Sequence, residues 1–140
     1  MRVVLITGSR LWSAYPPIEA ALAGAEMLIV GDAKGADAIA LEIALRWDII
    51  THVYCASPQR ATALRRRPDI GVHLVSDWGE EPQRAGILRN IPMVHRAVLE
   101  RDEGMDVQCF AAPLEGSRGT FHCAKELRKH GFDVHWLRAA

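Results

Sequence analysis

The sequence predicts an α/β fold of three layers, α/β/α, built on a mostly parallel sheet. Two observations carry that expectation. Short, uninterrupted apolar runs recur along the chain and stop at glycine or at a polar residue, as strands covered on both faces require. Between them lie segments whose apolar residues repeat at helical spacing, and strands alternating with helices specify a parallel sheet with helices on both sides.

The first run, Val3 to Ile6, ends at Thr7-Gly8-Ser9 and reads as a strand. Pro16-Pro17 can open a helix, because proline tolerates the first turn, and Ile18, Ala21, Leu22 and Ala25 then recur on one face. Met27 to Val30 is a second buried-strand run, stopped by Gly31. From Lys34 to Trp47 the residues Ala36, Ile39, Ala40, Ile43, Ala44 and Trp47 define a helix face. Thr51 to Cys55 reads as a third strand, 56–71 as an arginine-rich surface helix or loop, and Val72 to Val75 as a fourth strand. Pro82 and Pro92 bracket the next segment, and Pro92 is read as a helix start because the residue before proline avoids the helical region. That places Arg89 and Asn90 at the helix entrance. Val107 to Ala111, Thr120 to His130 and Val134 to Leu137 complete the alternation as strand, helix and strand. With no linker, repeat or low-complexity tract, residues 1–140 are expected to form one domain.

Composition narrows the function. Lysine plus arginine number 17 and aspartate plus glutamate number 17, so the chain lacks the basic excess on which nucleic-acid binders rely, and nucleic acid is not the expected partner. The run Arg65-Arg66-Arg67, with Arg60 nearby, reads as a solvated surface rather than a phosphate site. Three scattered cysteines (Cys55, Cys109, Cys123) without a Cys-x-x-Cys pair argue against disulfides or structural zinc and suit a cytoplasmic protein. The histidines lack ligand spacing, so no metal is expected. No apolar run has the roughly 18 residues of a membrane helix, and the start of the chain reads as a strand rather than a signal peptide.

Ligands of open parallel sheets lie beyond the carboxyl ends of the strands. Three strand-to-helix turns are rich in glycine and small residues: Thr7-Gly8-Ser9-Arg10, Gly31-Asp32-Ala33-Lys34-Gly35-Ala36-Asp37 and Pro113-Leu114-Glu115-Gly116-Ser117-Arg118-Gly119-Thr120. Turns of this kind expose backbone N–H groups at a helix N-terminus, where the dipole also favours an anion. Arg89 at a helix entrance would oppose that dipole unless a negative ligand or a carboxylate lay beside it; Asn90 reads equally as a helix cap. Asp37 reads either as a helix-end charge or as a holder of a ribose hydroxyl, and Trp12 and Trp78 either as lids over the core edge or as base-stacking groups. The dinucleotide fingerprint Gly-x-Gly-x-x-Gly, the Walker phosphate loop and the Gly-x-Ser-x-Gly elbow are all absent. His122 and Cys123 are neighbours whose side chains point apart on a helix, which argues against a catalytic dyad.

The ordered set Thr7-Gly8-Ser9-Arg10 with Trp12, the 31–37 turn, Asp77-Trp78, Ala85-Gly86 with Arg89-Asn90 and Met93, and Gly116-Ser117-Arg118-Gly119-Thr120 resembles the YspA/YpsA-related branch of the SLOG superfamily. That superfamily includes the LOG-type phosphoribohydrolases and the DprA/Smf proteins. The resemblance implies a Rossmann-like fold that binds nucleotides or nucleotide-derived ligands. By match of motif, Gly8, Ser9, Arg10, Gly116, Ser117, Gly119 and Thr120 would cradle phosphate. Gly31, Lys34, Gly35, Asp37, Arg89 and Asn90 would complete the pocket. The hydrolytic relatives carry Pro-Gly-Gly-x-Gly-Thr-x-x-Glu, and Cys123 stands where their glutamate would be. A thiol does not stabilise an oxocarbenium ion as a carboxylate does. The expectation is therefore a sensor or binding module for a small nucleotide-derived ligand, without cofactor. An N-glycosidic-bond hydrolase is the alternative, with Arg89, Asp37 or Glu115 as its catalytic groups. An apolar outer helix face would suit a homodimer, as in the relatives.

Overall fold

The computed structural model describes residues 1–75 and 82–139, with 82–85 described by backbone alone. Within them the chain runs β1 (Arg2–Gly8), α1 (Pro16–Leu22), β2 (Met27–Gly31), α2 (Ala36–Arg46), β3 (Ile50–Cys55), α3 (Pro58–Leu64), β4 (Ile70–Leu74), α4 (Pro82–Asp102), β5 (Asp106–Ala112), α5 (Arg118–Lys129) and β6 (Val134–Trp136). The six strands form one sheet in the order β4-β3-β2-β1-β5-β6, and every pairing is parallel. The α/β/α architecture expected from the apolar runs is the one observed.

The unbroken apolar runs are explained by the layers. In β1, Val4 and Ile6 point into a core shared with α1, α2 and α3, through Ile18, Leu22, Ile39, Ile43 and Ala61. Val3 and Leu5 point the other way, into a core formed with Met93, Val94 and Ala97 of α4 and Cys123 and Leu127 of α5. All four β1 residues are fully buried. A strand with two buried faces has no reason to alternate.

Strand order and helix side follow from one rule. Crossovers between parallel strands are right-handed, so stepping outward through β2, β3 and β4 stacks the intervening helices on one face. The return from β4 to β5 steps the opposite way and puts α4 and α5 on the other face. The direction reverses between β1 and β5, which makes the carboxyl ends of these strands the topological switch point.

One expectation fails at α4. Pro92 lies inside this 21-residue helix, not at its start. Proline removes one main-chain donor and disfavours helix in the preceding residue, but packing of Met93, Val94 and Ala97 against the sheet carries the helix through it. Arg89 and Asn90 are therefore interior helix residues about two turns from the N-terminus. The dipole argument for an anion at Arg89 and the capping reading of Asn90 both fall with that boundary.

Candidate functional site

The three glycine-bearing turns meet. β1 pairs with β2 on one side and β5 on the other, so the segments after them leave the sheet side by side. The Ser9 amide donates to the Ala112 carbonyl at 2.9 Å, and the Ala36 amide donates to the Ser9 carbonyl at 3.1 Å. Gly35, at φ 71°, is the N-cap of α2 and lies so close to the Ser9 and Arg10 backbone that a Cβ there would collide with the Ser9 carbonyl oxygen. Gly8 is likewise packed against the Ala36 and Ala112 side chains. Glycine is required at these two positions by close approach, not merely by turn geometry. The third turn is joined through α4: Asn90 Nδ2 donates to the Gly119 carbonyl at 3.0 Å.

Buried polar residues collect at this edge of the sheet. Thr7, Ser9, Asp32, Asp37, Asn90 and Thr120 are each less than one-tenth exposed. The centre of the group is Arg89, which reaches from α4 over the carboxyl end of β2. Its Nη1 meets Asp32 Oδ1 at 2.7 Å, with both side chains largely buried. The other carboxylate oxygen of Asp32 accepts from the Ala56 and Ser57 amides, each at 3.1 Å, and Arg60 donates to the Asp32 carbonyl. Gly31 makes room for this arrangement: a Cβ there would lie 2.7 Å from Asp37 Oδ2 and 2.8 Å from Arg89 Cζ.

Asp37 folds back from the first turn of α2, and its Oδ2 accepts from the Ala33 amide at 3.1 Å. Burial pushes its pKa up from 3.8 to about 6, a rise that nearby Asp32 adds to and that Arg89 and the Ala33 amide oppose. A carboxyl group titrating there can accept or give up a proton near neutrality. Two buried side-chain atoms in this region, Arg89 Nε and Asn90 Oδ1, have no hydrogen-bond partner among the described residues.

Beside this cluster, between α2 and α3, opens a cleft of about 190 Å³ lined by Gly31, Asp32, Ala33, Asp37, Ala38, Leu41, Arg60, Ala63 and Leu64. Its walls are apolar, and its polar groups are Asp32, Asp37 and Arg60.

The structure thus brings together Gly8, Ser9, Gly31, Gly35, Asp37, Arg89, Asn90, Gly119 and Thr120. Arg10, Lys34 and Gly116 are exposed at the rim. Ser117 is engaged locally, its Oγ accepting from the Leu114 amide at 3.0 Å. Two amides of the 31–37 turn are already occupied, Ala33 by Asp37 and Ala36 by Ser9, so that turn presents carboxylates rather than an open ring of donors. Trp12 does not take the base-stacking role: it is 3% exposed within the core, its indole N–H bonded to the Ala14 carbonyl, and it has no free face for a base. Trp78 and Asp77 lie outside the described residues. Glu115 is exposed, whereas Cys123 is buried, its thiol in contact with the Thr7 hydroxyl and pushed up to about 12. The arginines Arg65, Arg66 and Arg67 are exposed, as the solvated reading expected.

Asp32, Arg60 and Thr7 belong to the cluster and were not among the expected site residues. The signal for Asp32 was in the sequence, an acid directly after a strand-ending glycine. Arg60 lies about 30 residues from Arg89 in sequence, and no spacing rule joins them. No helix among the described residues is long and apolar enough to cross a membrane.

Comparison with known proteins places the architecture. No family model matches the chain. Its fold is similar to that of DNA processing protein A (DprA) from Streptococcus pneumoniae, with a TM-score of 0.54 and 21% identity. That match covers 96% of this chain and 58% of the DprA chain, so this chain spans little more than half of that protein. A DprA-like fold agrees with the SLOG-type architecture implied by the sequence resemblance. The Gene 61 protein of Mycobacterium phage D29 is 37% identical over 141 aligned residues, covering 96% of this chain and 94% of the phage protein. The chain belongs to the family of that phage protein.

Proposed function

We propose that the protein binds a phosphorylated nucleotide or nucleotide-derived ligand across the carboxyl ends of β2, β1 and β5, as a sensor or binding module of the YspA/YpsA-related SLOG branch. The observation that carries the reading is a pair of buried atoms without a partner among the described residues, Arg89 Nε and Asn90 Oδ1, at the switch point of the sheet. Buried polar atoms are nearly always hydrogen-bonded, and a ligand bound at this edge would satisfy both once the Arg89 and Asn90 side chains turn towards it. Charge assigns the ends of the ligand. On the β2 side Asp32 and Asp37 offset Arg89 and Arg60, and the Asp37 carboxylate there suits a hydrogen-bond donor of the ligand and repels phosphate. The phosphate belongs with the first-turn amides of α5, at Gly119 and Thr120, and with the side chains of Arg10 and Arg118.

A second reading, hydrolysis of a nucleotide N-glycosidic bond, is favoured by Asp37 alone. Of the two acids the sequence offered, Asp37 is the buried one, its pKa is raised to about 6, and it sits beside Arg89. In its protonated form it would deliver a proton to the departing base, and the water that adds to the sugar would give its proton back to the Asp37 carboxylate.

Thermal-shift titration of the whole chain against nucleoside monophosphates, cyclic nucleotides, NAD and ADP-ribose tests the first reading. A ligand at 100 times its Kd should stabilise by about 2.7 kcal/mol. No shift with any of them would remove the proposed site. Arg89→Ala should weaken binding by about 1.5–3 kcal/mol. Release of free base over hours, lost in Asp37→Asn, would select the hydrolase. Because the structural neighbour is described as a DNA processing protein, single-stranded DNA is the control; salt-sensitive retention of DNA with no nucleotide shift would replace both readings.

A further inference from the structure

The cleft between α2 and α3 is too small for a whole nucleotide but large enough for a ring system. A cavity of about 150 Å³ holds benzene, and this one is about 190 Å³. Its apolar walls, Ala33, Ala38, Leu41, Ala63 and Leu64, would flank a planar ring, and its polar groups lie at Asp37, Arg60 and Asp32. Asp32 is committed: one oxygen to Arg89, the other to two backbone amides. Asp37 is not. A carboxylate has about four lone-pair sites, and among the described residues its one hydrogen bond is to the Ala33 amide. Arg60 uses one nitrogen on the Asp32 carbonyl, and a guanidinium carries five N–H donors.

We propose that this cleft seats the base of the bound nucleotide, with Asp37 accepting from its N–H edge and Arg60 donating to its acceptor edge, so that guanine is preferred to adenine. The inference rests on the nucleotide-binding reading above. An ionised carboxylate only accepts, and guanine offers it two adjacent donors, the ring N1–H and the exocyclic amino group. Adenine would turn its N1 lone pair toward the same oxygens. On the other edge, guanine O6 and N7 are both acceptors and suit an arginine, whereas adenine places its amino group there. Each contact therefore selects for guanine and against adenine. The remaining distances also agree. The cleft borders β2, and the amide turns after β1 and β5 lie one and two strand spacings away, about 5 and 10 Å, within reach of the sugar and phosphate of one nucleotide.

The test is calorimetric titration of the full chain with GMP, AMP, guanosine and adenosine. GMP should bind roughly tenfold to a hundredfold more tightly than AMP, the scale of one good bidentate base contact. Asp37→Asn, which keeps an acceptor for Ala33, should abolish that preference by weakening GMP more than AMP. Ala63→Phe, from an exposed position on α3, should fill the cleft and lower GMP affinity at least tenfold with the melting temperature unchanged. GMP affinity should fall as the pH drops through about 6, where Asp37 takes up its proton, while AMP affinity holds. Equal binding of GMP and AMP, or a preference that survives Asp37→Asn, overturns the base assignment and leaves nucleotide binding intact. Binding of none of the four overturns both.

Discussion

Asp37 illustrates a site held at the expense of stability. Its carboxyl is buried with one amide donor and a guanidinium already engaged by a second carboxylate. The folded-state pKa of about 6 exceeds the ordinary 3.8, so the native state holds the proton more tightly than the unfolded chain does. The stability associated with the neutral form is complete below about pH 4 and is lost as the pH rises through about 6. The difference between the two values corresponds to about 3 kcal/mol as an upper bound. Asp37→Asn should therefore be more stable than wild type at pH 7.5, by about 1–2 kcal/mol after the weakened contact with Arg89. The gain should shrink towards pH 4, as urea denaturation at both pH values would reveal; an equal difference at both would mean that the burial cost lies elsewhere. Gly31 is the complementary case. Gly31→Ala would place a methyl group 2.7 Å from Asp37 Oδ2 and 2.8 Å from Arg89 Cζ. The expected outcome is a loss of about 1–3 kcal/mol in a denaturant titration, together with loss of nucleotide binding as Arg89 is displaced.

Among the elements, α4 has the most unusual construction. It carries Arg89 and Asn90 to the site and continues through Pro92 along the underside of the sheet. Pro92 cannot donate to the Leu88 carbonyl, and an interior proline costs a helix about 3 kcal/mol. Pro92→Ala restores the bond and should raise stability by about 1–2 kcal/mol, allowing for the packing lost with the ring. Arg89 and Asn90 lie within one turn of this position, so the same variant should bind nucleotide less well. A variant with both stability and affinity unchanged would show that the proline shapes neither. Helix α2 shows a different device. Its N-cap is glycine without a side-chain bond, and the Ala36 amide is satisfied by the neighbouring turn's Ser9 carbonyl. Capping is here a tertiary contact, which locks two strand ends together.

The whole molecule is two apolar cores separated by one sheet, and its reactivity follows from that division. Cys55, Cys109 and Cys123 are all fully buried, and burial pushes each thiol up to about 12. A thiol is nucleophilic only as thiolate. None of the three should react with a disulfide reagent in the native protein, and all three should react once it is unfolded in guanidinium. Rapid native labelling of Cys123 would mean that the switch-point edge opens readily.

The amino-acid order was enough for the layers, the alternation of strands and helices, and the three turns that would face a ligand. Each depends on short-range chemistry: β-branched runs that pack on both faces, helical periodicity, and glycine where backbones must approach. It also put forward Arg89, Asn90 and Asp37 as site residues, from their chemistry and from the resemblance, and the fold gathers the three at one edge of the sheet. It misjudged the entrance of α4, because packing of Met93, Val94 and Ala97 against the sheet outweighed the local preference around Pro92. It left Trp12 between two roles that burial alone could separate. The ion pair of Arg89 with Asp32, the raised pKa of Asp37 and the cleft that Arg60 helps to line were beyond it. Those depend on residues from β2, α2, α3 and α4 meeting over a strand end, and such meetings are governed by strand order and crossover handedness, not by neighbours along the chain.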